Sequence, residues 1–309
     1  MNLFKKQSLT GKNILITGAT GMLGRAFSEA LSTEPVKEVF AFSHAELDVT
    51  DRANVLRLER IQPDVIIHCA ADVNAERCEI EPERCRAIQV DGTANIIELA
   101  VQTGAQIFYP QSFLIFDGQE LPITEKTNPQ PLSVYGQCKL EAEKLILQNL
   151  PQALIVRMAG FFGGEENDKN FVGLLTRKIA QLLSEGVSTY QVGDRIWQPT
   201  WTLDLARNSI LLLNENKSGL YSMSSQGEAS FYDVAVACVE DLGLTNLIRI
   251  EKVSAHRVAR NEKARRPDRA ILENKRMIEE SLDRQRPWRI ALSEYLARPY
   301  FKTLFERYR

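Results

Sequence analysis

Cysteine is scarce and unpaired in this chain. Cys69, Cys78, Cys85, Cys138 and Cys238 form an odd set of five with no C-x-x-C spacing, which argues against a disulfide framework or a cysteine zinc cluster. Histidine is scarcer still: His44, His68 and His256 are too scattered to build a metal site, so no metal is expected. No uninterrupted apolar run approaches the roughly 18 residues of a membrane-spanning helix. The opening "MNLFKKQSLTGKNILITG" lacks the apolar stretch and small-residue cleavage site of a signal peptide. A formal net charge of −2 gives no reason to expect a polyanionic partner, nucleic acid included. Free thiols fit a reducing cytoplasm. There is no internal repeat and no low-complexity linker.

What is present is a regular alternation over the first half. "NILITG" (13–18), "EVFAFS" (38–43), "DVIIHCAA" (64–71), "AQIFYPQS" (105–112) and "ALIVRMAG" (153–160) read as short buried strands. Between them, 22–32, 51–61, 83–104 and about 135–149 read as helices. Apolar strands separated by helices predict a doubly wound parallel sheet, an α/β fold covered on both faces. Beyond about residue 160 the rhythm loosens. A helix over about 170–185, a strand at "TYQVG", a helix at "WTLDLARNSILLL" with Thr202 as its N-cap, and a helix near 232–242 suggest a smaller C-terminal lobe. The expected division is a nucleotide-binding domain over 1–160, with returning segments near 187–213, and a lobe with tail over 161–309.

"ITGATGMLGRAF" leaves the first strand and enters the first helix with Gly18, Gly21 and Gly24 at three-residue intervals. In that setting glycines allow a tight turn and close approach of a diphosphate. The helix N-terminus adds N–H donors and positive potential. A dinucleotide is the expected ligand. Further on, "SVYGQCKLEAEK" places Tyr135 four residues before Lys139, on one face of a helix. Taken alone, that pair is as compatible with a polar surface turn as with chemistry.

The G-x-x-G-x-x-G loop resembles that of the extended short-chain dehydrogenase/reductase family, and other marks of that family follow in order. "LDVTD" (47–51) resembles its turn after strand two, with Asp48 and Val49 flanking the adenine. "HCAA" (68–71) resembles its strand-end motif, with Cys69, Ala70 and Ala71 lining the cofactor. Ser112 ends a strand where the family places its catalytic Ser or Thr. The resemblance implies a Rossmann-type sheet with a substrate-binding lobe. It implies cofactor contacts from Gly18, Thr20, Gly21, Met22, Leu23, Gly24, Ser43, His44, Asp48, Val49, Cys69, Ala70, Ala71, Tyr135 and Lys139. It also implies a catalytic trio: Tyr135 as proton donor, Lys139 lowering its pKa and binding the nicotinamide ribose, and Ser112 orienting the carbonyl.

Strand two ends "FAFSHAE", with Ser43 and His44 where many NAD enzymes carry an acid. Ser43 and Arg25 favour NADPH; a Glu46 that reaches the ribose would favour NADH.

"PLSVYGQCKLEAEK", "LIVRMAGFFG", "WQPTWTLDLA" and "RRPDRAILENKRM" resemble the dTDP-4-dehydrorhamnose reductase branch and the related regulatory β subunit of methionine adenosyltransferase. This resemblance implies reduction of a nucleotide-linked keto-sugar, with Phe113, Gly160 and Arg266 in the substrate pocket, and it allows a homodimer. Arg257, Arg260, Lys263, Arg265 and Arg269 are further candidates for the sugar diphosphate, or simply a solvated basic face. The chain departs from the branch at the pocket wall. "QSFLIF" stands for "STDYVF", so Phe113 and Leu114 replace an aspartate and a tyrosine. Gly160 replaces the tryptophan of "RTSWVYG", and Gln89 the usual helix asparagine. Without an acid pair after Ser112, a dehydratase is disfavoured. The rival class is a non-catalytic NADP-binding partner subunit, for which the aromatic tail (Trp288, Tyr295, Tyr300, Phe301, Phe305 and Tyr308) could supply a surface.

Overall fold

A computed structural model describes residues 9–255, 257 and 262–308. His256 and Arg260 lie outside the described residues.

The first strand, β1 (Asn13–Thr17), is wholly buried. It is flanked in parallel by β2 (Glu38–Phe42) on one side and β3 (Val65–His68) on the other. β4 (Gln106–Ser112), β5 (Leu154–Met158) and β10 (Gly219–Met223) extend the sheet outward from β3, giving the order β10-β5-β4-β3-β1-β2. Every pairing is parallel. The chain therefore reverses direction across the sheet between β1 and β3, and in such sheets ligands bind at the carboxyl ends of the strands flanking the reversal. The doubly wound parallel sheet expected from the alternation is present.

Its two faces are covered by different helices. α1 (Met22–Leu31) and α8 (Thr202–Asn214) bury Phe27, Leu203 and Ile210 on one face. α5 (Gly92–Thr103) and α6 (Val134–Asn149) bury Ile96, Ala142 and Ile146 on the other. The sixth strand is Gly219–Met223, beyond the 187–213 stretch expected to return. Of that stretch only α8 packs on α1, whereas β7 (Thr189–Gly193) pairs with β12 (Arg249–Val253) away from the main sheet.

Local differences have local causes. The helix expected over 83–104 is interrupted by a π turn at Ala87–Asp91. There the buried Gln89 donates to the carbonyl of Asp72 at 2.7 Å. Thr202 is already helical; Trp201 is the N-cap, with no side-chain cap bond. The aromatic tail folds back onto the molecule. Tyr295, Phe301 and Phe305 are fully buried, and the Tyr295 hydroxyl donates to Asp168 at 3.2 Å. Tail packing, rather than a free surface, is thus what these three aromatics provide. Among the described residues no helix is long and apolar enough to cross a membrane, and no cluster of His, Cys, Asp or Glu could hold a metal.

Candidate active site

The crevice at the sheet reversal is made narrow by glycine. Gly18 follows β1 with φ +66°, and a Cβ there would lie 2.7 Å from the backbone nitrogen of Ala70 at the end of β3. At Gly24 a Cβ would lie 2.3 Å from the Gly18 carbonyl oxygen, so α1 can sit directly against the loop. Gly21 is the N-cap of α1 and offers no capping side chain. The first amides of the helix are thus left for an outside acceptor. A cradle that any Cβ would fill, opened by free helix amides, fits a dinucleotide diphosphate.

A chain of buried hydrogen bonds holds β1 and β3 together at this edge. Ala70 donates its amide to Thr17 Oγ1 (3.2 Å), which is 2.8 Å from His68 Nδ1. His68 Nε2 is 3.1 Å from Thr93 Oγ1, which donates to the Gln89 carbonyl. Only the tautomer protonated at Nε2 satisfies every link. Burial, then the charge of Lys139, pushes the imidazole pKa down to about 3, so His68 stays neutral. It is a tether between strands. The sequence signal for it was the polar pair Thr17 and His68 at the ends of adjacent apolar strands.

Of the expected cofactor contacts, Thr20, Met22 and Ser43 line a cleft of about 510 Å³ beside α1, together with Arg25, Glu46, Arg298 and Glu165–Asn167. Ser43 is engaged there: its amide and hydroxyl both donate to the Glu46 carboxylate, at 2.8 and 2.6 Å. These bonds hold Glu46 below the usual carboxylate range. Arg25 Nε donates to the Thr20 carbonyl at 3.0 Å. Asp48 accepts from the amide and hydroxyl of Thr50, Val49 is buried against Gly92, and His44 is exposed. Leu23 is buried in α1, while Cys69, Ala70 and Ala71 are half-buried along the crevice. Burial pushes the Cys69 thiol up to about 12.

The catalytic candidates meet where β4 ends and α6 begins. Ser133 caps α6 by accepting from the Gly136 amide. Gly136 is required at its position, since a Cβ would come 2.4 Å from the Leu114 carbonyl oxygen. This close seating sets the buried Tyr135 phenol beside the Ser112 hydroxyl. Burial pushes the phenol above its ordinary value, and the nearby Ser112 hydroxyl opposes that shift. Lys139, one turn on, is almost fully buried. Its Nζ donates to the Pro110 carbonyl at 2.9 Å and lies 3.8 Å from the centre of the Tyr109 ring. Burial pushes its ammonium down to about 7. Lys139 is turned to Pro110 and Tyr109, and burial is the largest influence on the Tyr135 phenol.

Beneath these residues lies a network that the sequence did not announce. Gln111 accepts from the Ser112 amide (2.8 Å) and donates to Glu143 Oε2 (3.0 Å) and to the Lys139 carbonyl (2.9 Å). Glu143 in turn pairs with Arg157 on β5.

On the substrate side, Phe113 and Gly160 are half-buried neighbours. Arg266 is held by Glu76 at 2.7 Å and Glu262 at 3.4 Å, and Arg269 by Glu228 at 2.7 Å. Arg257, Lys263 and Arg265 are exposed. Any diphosphate bound by Arg266 or Arg269 would have to displace a carboxylate.

Residues 12–301 match the family described as the RmlD substrate binding domain. The chain is 30% identical over 285 residues to a dTDP-4-keto-6-deoxy-D-glucose reductase of Streptomyces niveus, covering 91% of this chain and 95% of that one. It is 27% identical over 302 residues to methionine adenosyltransferase 2 subunit beta of Bos taurus, covering 94% and 88%. The crystal structure of a dTDP-4-dehydrorhamnose reductase from Clostridium acetobutylicum superposes with a TM-score of 0.83 at 30% identity, covering 92% of this chain and 98% of that one. With the glycine cradle, the Ser-Tyr-Lys constellation and these matches in agreement, the chain belongs to the RmlD substrate-binding-domain family of extended short-chain dehydrogenases/reductases.

Proposed function

We propose that this protein is an NAD(P)H-dependent reductase of a nucleotide-linked keto-sugar, with residues 1–160 mainly holding the cofactor and 161–309 mainly the substrate. The observation that carries this reading is the buried meeting of Ser112 at the end of β4 with Tyr135 and Lys139 on the first turns of α6. The reductases named above support the substrate class.

The bound nicotinamide supplies hydride to the carbonyl carbon. Everything else is asked of the protein. Ser112 donates a hydrogen bond to the carbonyl oxygen and stabilises the negative charge that develops there. The Tyr135 phenol, kept protonated by burial, passes its proton to the same oxygen, so that the ketone becomes an alcohol. Lys139, one helical turn from Tyr135, is the residue that would hold the nicotinamide ribose, and its ammonium would favour loss of the phenol proton. Gly18, Gly21 and Gly24 admit the diphosphate, with Ser43, Glu46 and Arg25 around the adenosine ribose; NADPH is the proposed cofactor, NADH the alternative.

A second reading is a non-catalytic NADP-binding partner subunit. It draws on the similarity to methionine adenosyltransferase 2 subunit beta and on the altered pocket wall at Phe113, Leu114 and Gly160. One experiment separates the two: oxidation of NADPH and NADH by the purified chain with dTDP-4-keto-6-deoxyhexoses. Turnover that is lost in Tyr135→Phe, with nucleotide affinity retained, establishes the reductase. Nucleotide binding without oxidation of either cofactor across the panel favours the partner subunit.

A further inference from the structure

The resemblance places a tryptophan at position 160 of the sugar pocket, and this chain has glycine there. The structure shows what occupies that space. A Cβ on Gly160 would come 2.8 Å from Cε3 and 3.2 Å from Cζ3 of Trp197, and 3.7 Å from Cε1 of Phe113. The benzo edge of a distant indole thus lies where a side chain at 160 would begin. Only one of the two positions can carry a large residue.

The ring is fixed. Phe231 stacks on Trp197 at 5.0 Å and 18°, and Phe171 meets it edge-on at 6.3 Å and 86°. Phe171 and Phe231 are themselves in contact at 4.5 Å. The indole Nε1 has no hydrogen-bond partner among the described residues, so the ring is held by packing. Its location is specific as well. Ser112 pairs in register with Met158, and Gly160 is two residues beyond Met158. Phe113 follows Ser112 directly. The aromatic surface of Trp197 and Phe113 therefore stands next to the hydroxyl assigned to the substrate carbonyl.

We propose that Trp197, with Phe113, is the aromatic wall of the sugar pocket, supplied from the strand Ile196–Trp197 instead of from position 160. This rests on the keto-sugar reading above. Trp197 itself is only 8% exposed with one face under Phe231, so the wall is the benzo edge of the indole beside the half-buried ring of Phe113, apolar and rigid. It favours a pyranose ring that presents C–H bonds to it, and it costs little entropy on binding because the ring is already immobilised. With Phe113 and Leu114 in place of an aspartate and a tyrosine, this side of the pocket reads shape and apolar surface in preference to sugar hydroxyls.

The test is calorimetric titration of the full chain, with NADP⁺ present, against dTDP-glucose and against dTDP alone. dTDP-glucose carries the sugar but cannot be reduced. Trp197→Ala is expected to weaken dTDP-glucose at least tenfold while leaving dTDP within twofold, and Trp197→Phe to retain most of the lost affinity. Gly160→Ala, which drives a methyl against the indole, is expected to weaken dTDP-glucose selectively, and it serves if Trp197→Ala does not fold. If the variants bind dTDP-glucose as the wild type does, or lose dTDP and dTDP-glucose in equal measure, the wall is disproved and the keto-sugar reading stands. A wild-type chain that binds NADP⁺ but neither dTDP nor dTDP-glucose overturns a dTDP-linked substrate, and the wall proposed for it.

Discussion

Glu143 and Arg157 form a bidentate ion pair, 2.6 Å at its shorter contact, with both side chains almost wholly removed from solvent. Glu143 is one helical turn beyond Lys139 on α6, and Arg157 lies on the strand beside β4. The pair therefore fastens the catalytic helix to the sheet, and through Gln111 it reaches the amide of Ser112.

Breaking the pair from one side leaves a buried, uncompensated charge. Glu143→Gln is expected to destabilise the protein by about 3–5 kcal/mol. Replacing both partners with apolar residues, Glu143→Leu with Arg157→Met, should recover most of that loss, because it removes the stranded charge as well as the bond. Urea unfolding of the single and double variants is the measurement. A double variant no more stable than Glu143→Gln would mean that shape, not charge, dominates at this site.

Lys139 makes the opposite kind of contribution. Burial lowers its folded pKa to about 7 from the ordinary 10.5. Between pH 10.5 and 7 the unfolded chain therefore takes up a proton that the folded chain refuses, and stability falls as pH drops through that window. Below pH 7 both forms are protonated and the penalty stays constant. Lys139→Met removes the penalty, so the free protein should gain about 2–4 kcal/mol at pH 7, with the gain shrinking as pH approaches 10. Activity should be lost at the same time. Unfolding at pH 7 and at pH 10 decides the matter, and a gain independent of pH would refute the buried-ammonium origin.

The contrast between these two residues shows how much was legible in the sequence. Lys139 stood out because Tyr135 and Lys139 are neighbours on one helix turn, just as Gly18, Gly21 and Gly24 are neighbours in one loop. Local spacing preserves such relationships. The parallel sheet was legible for a similar reason, since each strand is a short apolar run bounded by a helix. Glu143, Arg157 and Gln111 come from three separate elements, and their meeting depends on the pairing of β4 with β5. Trp197 over Gly160 and His68 between Thr17 and Thr93 are likewise products of tertiary packing. The same limit applies to the sixth strand: "GLYSMSS" is short, and only its pairing with β5 marks it as the sheet edge.

The last two glycines of the motif should not tolerate alanine equally. At Gly24 the new methyl meets backbone on two sides, 2.3 Å from the Gly18 carbonyl oxygen and 2.8 Å from the Ala19 Cα, so the loop must move. At Gly21 its only close neighbour is the Gly18 oxygen at 3.2 Å. Gly24→Ala is expected to cost about 1–3 kcal/mol of stability from overpacking and to weaken NADPH binding at least tenfold. Gly21→Ala should be milder in both respects. Thermal unfolding with and without NADPH, together with a nucleotide titration, compares them. Equal behaviour of the two variants would contradict the seating of α1 on the loop.

Cofactor choice is the property on which Glu46 bears most directly. Its carboxylate accepts two hydrogen bonds from Ser43 at the end of β2, inside the cleft that also holds Arg25. An acid there can accept from a ribose 2′-hydroxyl and repels a 2′-phosphate. It also occupies the serine hydroxyl that would otherwise donate to that phosphate. Glu46→Ala frees Ser43 and removes the repulsion, so the ratio of NADPH to NADH affinity should rise about tenfold, equivalent to about 1.4 kcal/mol. Arg25→Ala should move the ratio the other way by weakening NADPH alone. Fluorescence titration of both nucleotides against wild type and the two variants provides the comparison. If Glu46→Ala leaves the ratio unchanged, the carboxylate does not face the 2′-position, and cofactor preference must be set by Arg25 or elsewhere in the cleft.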